Sequence, residues 1–317
     1  MGINIMNTDN PIRNTQTVDL DNILSESRNP QTMDIDRCST LEILTKINAA
    51  DHAVPQAIAQ ILPDIEKVVT VTVKQLQAGG RLIYAGAGTS GRLGILDAVE
   101  CRPTFSVPDE LVQGVIAGGE PALISAVEGA EDSPELAQTD LTSLQLSSKD
   151  VLIGIAASGR TPYVTGAIQY AQSIGCPAFA LSCNPKGSIN ELADHAIAIA
   201  VGPEVLTGST RMKAGTAQKL VLNMISTTVM IKLGKTYENL MVDVNASNQK
   251  LVARAERIVM DATACSNAEA KQALTRAEQS AKLAILLIKT KLTVPEAKAL
   301  LAQHHGFLRA ALEAVEL

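Results

Sequence analysis

The sequence predicts an α/β fold: a three-layer sandwich around a mostly parallel sheet, followed by a small C-terminal all-helical module. Three observations point to it. The candidate strands RLIYAG (81–86), LVQGVIAG (111–118), DVLIGIAAS (150–158), PAFALSC (177–183) and HAIAIAV (195–201) are continuous apolar runs, as in sheets covered on both faces. Helical patterns separate them, which implies right-handed crossovers. From about residue 248 the chain turns to Ala, Lys, Glu and Leu and shows no further strand.

In chain order, residues 1–54 form an N-terminal arm and helix. The first 34 are polar, interrupted by Pro11 and Pro30, and read as a loosely structured arm that packs on a partner subunit. Ser39 is a cap signal for a helix running to about residue 49. Residues 55–235 form the α/β domain. Pro55 opens a long helical pattern that Gly79 and Gly80 end, with Pro63 bending or interrupting it. Helices are predicted at 91–100 (about two turns), within 121–133, at 133–146 and at 161–175, with a short one at INELAD. A long helix is expected from Thr207, starting near Ser209-Thr210, to about Lys235. Residues 236–317 form the helical module, with helices near 248–263, 266–277, 279–291, 295–302 and 306–315.

Composition narrows the function. Net charge is -6 without a basic run, and with Phe 3, Tyr 4 and Trp 0 there are few rings on which bases could stack. Nucleic acid and anionic membrane are therefore not expected partners. The opening MGINIMNTDN lacks a secretory signal pattern, and no apolar stretch is long enough to span a bilayer, so a cytoplasmic protein is expected. Cys38, Cys101, Cys176, Cys183 and Cys265 are scattered, with neither a disulfide framework nor a Cys/His metal cluster.

Two loops carry the chemistry. YAGAGTSGRLG (84–94) and AASGRTP (156–162) each leave the C-terminal end of a strand and open a helix, where ligands bind in open parallel sheets. Gly86, Gly88, Gly91 and Gly159 let amides approach an anion. Thr89, Ser90, Ser158 and Thr161 add hydroxyls, Arg160 lies between them, and the helix N-termini add free N–H groups. The string GAGTSG also satisfies GxGxxG, which leaves a nucleotide cofactor as an alternative, and plain turns as another. Two hydroxyl-rich loops suit a terminal phosphoryl group better than a pyrophosphate, so a sugar phosphate is expected. A third segment, TGSTRMKAGTAQK (207–219), places Thr207, Ser209, Thr210, Arg211 and Lys213 around a helix start, either as a capped helix with solvated cations or closing over the substrate.

The strings LIYAGAGTSGRLGILDAVECRPTF, GIAASGRTPYV and TGSTRMKAGTAQKLVLNM, with SRNPQTMDIDRCS and NLMVDVNASNQKL, resemble the bacterial N-acetylmuramic acid 6-phosphate etherase family. The resemblance runs from about Ser25 to the C-terminus. The central domain also resembles the wider sugar isomerase (SIS) superfamily, to which the non-enzymatic glucokinase regulatory protein is related. The resemblance implies an SIS-type phosphosugar-binding domain in a cytoplasmic, homodimeric carbon–oxygen lyase of peptidoglycan recycling that needs no metal or organic cofactor. The substrate would be N-acetylmuramic acid 6-phosphate and the products N-acetylglucosamine 6-phosphate and D-lactate. By motif, the family's catalytic glutamates fall on Glu100 (in ILDAVEC) and Glu131 (in AVEGAED).

The chemistry asks for two such groups. In the open-chain sugar the C2 proton is α to the C1 aldehyde. Its removal gives an enolate that expels lactate from C3, and water then adds back. Glu131 is expected to be the C2 base. Glu100 is expected to protonate lactate and later activate water. Helix rise puts Glu100 about 15 Å from the first loop, so it could instead project towards a neighbouring subunit's pocket. Asn184, just past a strand, is placed to hydrogen-bond the sugar, and Asp243 and Asn248 are weaker candidates for that role. Among His52, His195, His304 and His305, His195 reads as structural, while His304 and His305 either end a helix or reach a sugar across a dimer. Cys101 and Cys183 lack a neighbouring base and are not expected nucleophiles. The rival functions are an aldose–ketose phosphate isomerase and a non-catalytic phosphosugar sensor. The first would share the enolate without losing lactate, and the second would not need the two glutamates.

Overall fold

A computed structural model describes residues 23–243 and 249–315. The chain enters through three short 3-10 turns, Leu24–Glu26, Pro30–Thr32 and Ile35–Arg37. Over residues 24–37 these correct the expectation of a loose arm, because the first two are pinned to their own subunit. Thr32 Oγ1 donates to the Val205 carbonyl (2.9 Å), Asn29 Nδ2 to the Pro203 carbonyl (3.4 Å), and the Gly208 amide to the Ser25 carbonyl (2.9 Å). The rest of that arm, residues 1–22, lies outside the described residues.

Helix α1 (Thr40–Asp51) starts at the predicted cap: Ser39 and Glu42 form a reciprocal capping box. The long pattern after it splits into α2 (Ala53–Ala59) and α3 (Leu62–Gln77). The break falls at Gln60–Ile61. Pro63 lies in the first turn of α3, where a missing N–H costs nothing, so it starts a helix rather than bending one.

The sheet follows: β1 (Leu82–Gly86), α4 (Gly88–Phe105), β2 (Val112–Ile116), α5 (Pro121–Ile124), a 3-10 turn at Ala130–Asp132, α6 (Pro134–Ser143), β3 (Val151–Ala156), α7 (Pro162–Ser173), β4 (Ala178–Ser182), α8 (Ser188–Leu192), β5 (His195–Ala198) and α9 (Lys213–Lys232). The five strands are all parallel, in the order β2-β1-β3-β4-β5. Alternate strand residues enter opposite cores. Leu82, Tyr84, Ile153, Ile155 and Leu181 pack with α3, α4 and α9. Ile83, Ala85, Leu152, Ala178 and Ala180 pack with α6 and α7. Both faces are thus covered, as the continuous apolar strands require. The order reverses between β1 and β3, so the crevice beyond their C-terminal ends is the place for a ligand.

Two helix boundaries differ from expectation. Helix α4 has 18 residues rather than about two turns, starts three residues earlier and runs through Pro103. A proline so near a helix end removes one hydrogen bond only, and Ser106, in the left-handed region, closes the helix by donating to the Arg102 carbonyl. Helix α9 begins at Lys213, not near Ser209. Residues 206–212 form turns, and the buried carboxylate of Glu204 accepts from the Lys213 and Ala214 amides (3.0 and 2.9 Å), so it serves as the helix's N-terminal partner from far upstream.

The starts of β1 and β3 are joined by a polar clamp. Asp150 accepts from Arg81 at its backbone N, Nε and Nη2 (2.9, 3.0 and 2.8 Å) and from the Ser147 amide and hydroxyl. Burial alone would raise the Asp150 carboxyl, but the bonds from Arg81 and Ser147 outweigh it and hold it below its usual 3.8. A carboxyl lowered in the folded state stabilises above its unfolded pKa, and that contribution is lost as pH falls from about 3.8 through the folded value. Asp150→Ala is therefore expected to cost about 3–5 kcal/mol in urea unfolding at pH 7. The variant should also lose less stability than wild type on acidification, and equal acid slopes would refute this role.

The last five helices, α10 (Gln249–Thr263), α11 (Asn267–Arg276), α12 (Ala281–Thr290), α13 (Val294–Gln303) and α14 (Leu308–Glu313), build a core of their own. Helix α12 is its centre: every residue from Ala281 to Leu287 is buried. Lys282 ties this core to the end of α9, donating to the Gly234 carbonyl (3.0 Å) and to Asp243 Oδ2 (2.7 Å). Among the described residues no helix is long and apolar enough to cross a membrane.

Candidate active site

The two predicted loops leave neighbouring strands at the same edge of the sheet, since Gly86 pairs in register with Ile155. In the first, the helix starts within the loop itself, at Gly88. Gly91 must be glycine: a Cβ there would lie 2.7 Å from the Gly86 carbonyl oxygen and 2.6 Å from Ile116 Cγ1. Thr89 is half-buried and sits against Gly215 on α9. Ser90 is buried, and its hydroxyl donates to Gln218 Oε1 on α9 (3.0 Å), so it braces the loop.

The second loop is held from behind. Gly159 takes a left-handed φ of 72° and lies so close to Gly187 that a Cβ would be 2.7 Å from the Gly187 Cα. Its carbonyl accepts from the Ile189 amide (3.0 Å). Asn184 is buried and engaged at both ends, with Nδ2 donating to the Ser158 carbonyl (3.0 Å) and Oδ1 accepting from the Lys186 amide (3.2 Å). It therefore shapes the loop, and an open amide for a sugar is not what these bonds leave. Ser158, Arg160 and Thr161 are half-buried around it.

The third segment folds against both. Ser209 is half-buried in the turn before α9. Lys213 is buried with its Nζ donating to the Val201 carbonyl (2.9 Å), and burial holds its ammonium below the usual lysine pKa despite Glu204. Asp243 is occupied by Lys282 and Lys235 at the foot of the helical module (2.7 and 3.4 Å), and Asn248 lies outside the described residues.

The two glutamates are placed very differently. Glu131 stands on the 3-10 turn Ala130–Asp132, exposed, and lines a cavity of about 210 Å³ together with Ala87 and Gly88 of the first loop. Arg92, Ser125 and Glu128 line it too. Glu100 does not. It is twelve residues beyond Gly88 on α4, about 18 Å along the helix. It lies on an exposed stripe with Leu96 and Val99, which are 51% and 64% exposed. One turn earlier, Asp97 faces inward. Its carboxylate accepts from Tyr84 Oη (2.9 Å), Asn223 Nδ2 (2.6 Å) and Ser226 Oγ (3.0 Å), locking α4 between β1 and α9. Burial holds this carboxyl above the usual range.

Arg92 and Gln218 escaped the sequence reading. The signal for Arg92 was its place directly after Gly91 in a loop that opens a helix. Gln218 gave none, because its role depends on α9 lying against α4. Cys101 and Cys183 are both buried, and burial pushes each thiol up to about 12, which keeps them un-ionised. His195 bonds Asp64 (3.1 Å) at the sheet edge, as a structural residue would. Among the described residues no three His, Cys, Asp or Glu side chains gather at metal-binding spacing.

Known proteins place this arrangement. Residues 64–172 match the glucokinase regulatory protein N-terminal SIS domain, residues 131–228 the SIS domain, and residues 238–282 the C-terminal lid domain of glucokinase regulatory protein. A phosphoheptose isomerase structure from Francisella tularensis aligns with a TM-score of 0.44 at 18% identity, over 61% of this chain and 98% of that one. Much greater similarity is found to N-acetylmuramic acid 6-phosphate etherases. The Brucella anthropi protein is 58% identical over 93% of this chain and 96% of its own length. The Pectobacterium atrosepticum protein is 56% identical over 94% and 99%, and that of Yersinia pestis 58% over 92% and 98%. With identity of this level over nearly the full length of both partners, the chain belongs to the N-acetylmuramic acid 6-phosphate etherase family.

Proposed function

We propose that the protein is a carbon–oxygen lyase that cleaves the lactyl ether of N-acetylmuramic acid 6-phosphate, giving N-acetylglucosamine 6-phosphate and D-lactate, in cytoplasmic recycling of peptidoglycan amino sugars. The observation that carries this reading is the shared cavity of Glu131 and the first glycine loop. An anion held at the loops leaves the sugar's other end beside a carboxylate. Glu131 takes the C2 proton of the open-chain sugar, and the enolate expels lactate from C3. Glu100, as the acid, protonates the lactyl oxygen. It then takes a proton from the water that adds at C3, while Glu131 returns its proton to C2. Gly88, Thr89, Ser90, Ser158, Gly159, Arg160 and Thr161 form the phosphate cradle, with Ser209 and Lys213 behind it. No cofactor enters this sequence of steps.

The working unit in this proposal is a homodimer. Leu96 and Val99 are large apolar side chains left open on α4, and Leu41 and Leu44 on α1 are 74% and 57% exposed. A further apolar groove of about 690 Å³ runs between α3 and α9, lined by Ile65, Val69, Val73 and Met224 among others. Glu100 shares the α4 stripe, so a second copy covering it would receive Glu100 into its own pocket. The direct test is to incubate the protein with N-acetylmuramic acid 6-phosphate in heavy-oxygen water. D-lactate should appear, with the label at the C3 hydroxyl of the product. Folded protein that releases no lactate would overturn the etherase reading, and unlabelled product would overturn the elimination–hydration route.

A further inference from the structure

Arg92 is the only basic residue among those lining the Glu131 cavity. It sits one turn into α4, just behind the amides of the first loop. Its Nε donates to the Leu123 carbonyl on α5 (3.0 Å), which fixes the plane of the guanidinium and leaves the two terminal NH2 groups for a ligand. Glu128 and Glu131 line the same space, yet among the described residues neither forms an ion pair with it. A half-buried arginine that lines a cavity, is held by a bond to the Leu123 carbonyl and is not ion-paired with the carboxylates around it, is arranged to receive an anion from outside.

The chemistry of the etherase reading, on which this inference rests, says which anion. N-acetylmuramic acid 6-phosphate has two acidic groups, the 6-phosphate and the lactyl carboxylate. The carboxylate hangs from C3 on a short ether arm, directly beside the C2 proton that Glu131 removes. Wherever Glu131 meets C2, the carboxylate must enter the same cavity, against two glutamates. We infer that Arg92 pairs with the lactyl carboxylate and is the residue that selects lactyl-bearing over plain amino-sugar phosphates. The pair offsets the repulsion from Glu128 and Glu131, and it aims the ether oxygen away from the loop amides that hold the phosphate.

The test uses the full chain as wild type, Arg92→Gln and Arg92→Lys. It compares kcat/KM for lactate release with the inhibition constant of N-acetylglucosamine 6-phosphate, which has the phosphate and ring but no carboxylate. Arg92→Gln should lower kcat/KM for the lactyl substrate by about tenfold to a hundredfold, the effect of losing charged hydrogen bonds. Inhibition by N-acetylglucosamine 6-phosphate should stay as in wild type, which also shows that the variant is folded. Arg92→Lys should recover part of the loss. A substrate analogue with a lactyl amide should be turned over poorly by wild type, and Arg92→Gln should no longer tell acid from amide. Equal losses with both phosphosugars would place Arg92 at the phosphate and overturn the inference, as would no loss at all. Wild type that releases no lactate would overturn the etherase reading and this inference together. That outcome is distinct from a wild type and an Arg92→Gln that turn over equally well.

Discussion

Glu131→Gln is expected to stop both lactate release and exchange of the C2 proton of N-acetylglucosamine 6-phosphate with heavy water, lowering each by about a hundredfold to ten-thousandfold. The two readouts separate roles. Exchange at C2 needs only the base, because the product carries no lactyl group to expel. Glutamine keeps the shape of the side chain but cannot accept the proton. Glu131 is exposed and on a short turn, so the fold has no reason to weaken. The loop glycines that cradle the phosphate are untouched, and phosphosugar binding should persist. If Glu131→Gln still exchanged C2 at the wild-type rate, the base would have to be another residue.

Mixing Glu100→Gln and Glu131→Gln subunits is expected to restore activity that neither variant has alone. If Glu100 completes the partner's pocket, a mixed dimer has one site with both glutamates and one with neither. Random re-association makes half the dimers mixed, so activity should return to about a quarter of the wild-type value. Were both glutamates to serve the same subunit's pocket, every site would lack one of them and mixing would restore nothing. Lactate release after unfolding and refolding an equal mixture decides between these. The placement of Glu100, far along α4 from the loop and beside exposed Leu96 and Val99, favours the shared site.

Much of the fold was legible because it is written in local patterns. The apolar strands, the glycine-punctuated loops and the helix cap at Ser39 each occupy a few consecutive residues. What could not be read depends on residues distant in sequence. The length of α4 past Pro103 was hidden because a proline usually stops a helix, and here it falls in the final turns. The start of α9 was misplaced because its N-terminal partner is Glu204, not a neighbouring serine or threonine. The site divides the same way. Gly88, Gly159 and the hydroxyls around them announce an anion cradle by composition. That Ser90 is tied to Gln218, Asn184 to Ser158 and Lys213 to Val201 could be found only once the helices were placed. Both glutamates came from family resemblance, and nothing in their local sequence could say that only Glu131 faces the cavity beside the loop.

The bonds from Ser25, Asn29 and Thr32 to residues 203–208 reach further than the segment they hold. That loop carries Glu204, Glu204 seats the first turn of α9, and Gln218 one turn later grips Ser90. Residues 25–32 and the anion cradle are thus links in one series of hydrogen bonds. Such a series opens together or not at all. Local melting near residue 30 would be felt as a loosening of the ligand loop, and a phosphosugar that tightens that loop would in return protect the segment near residue 30.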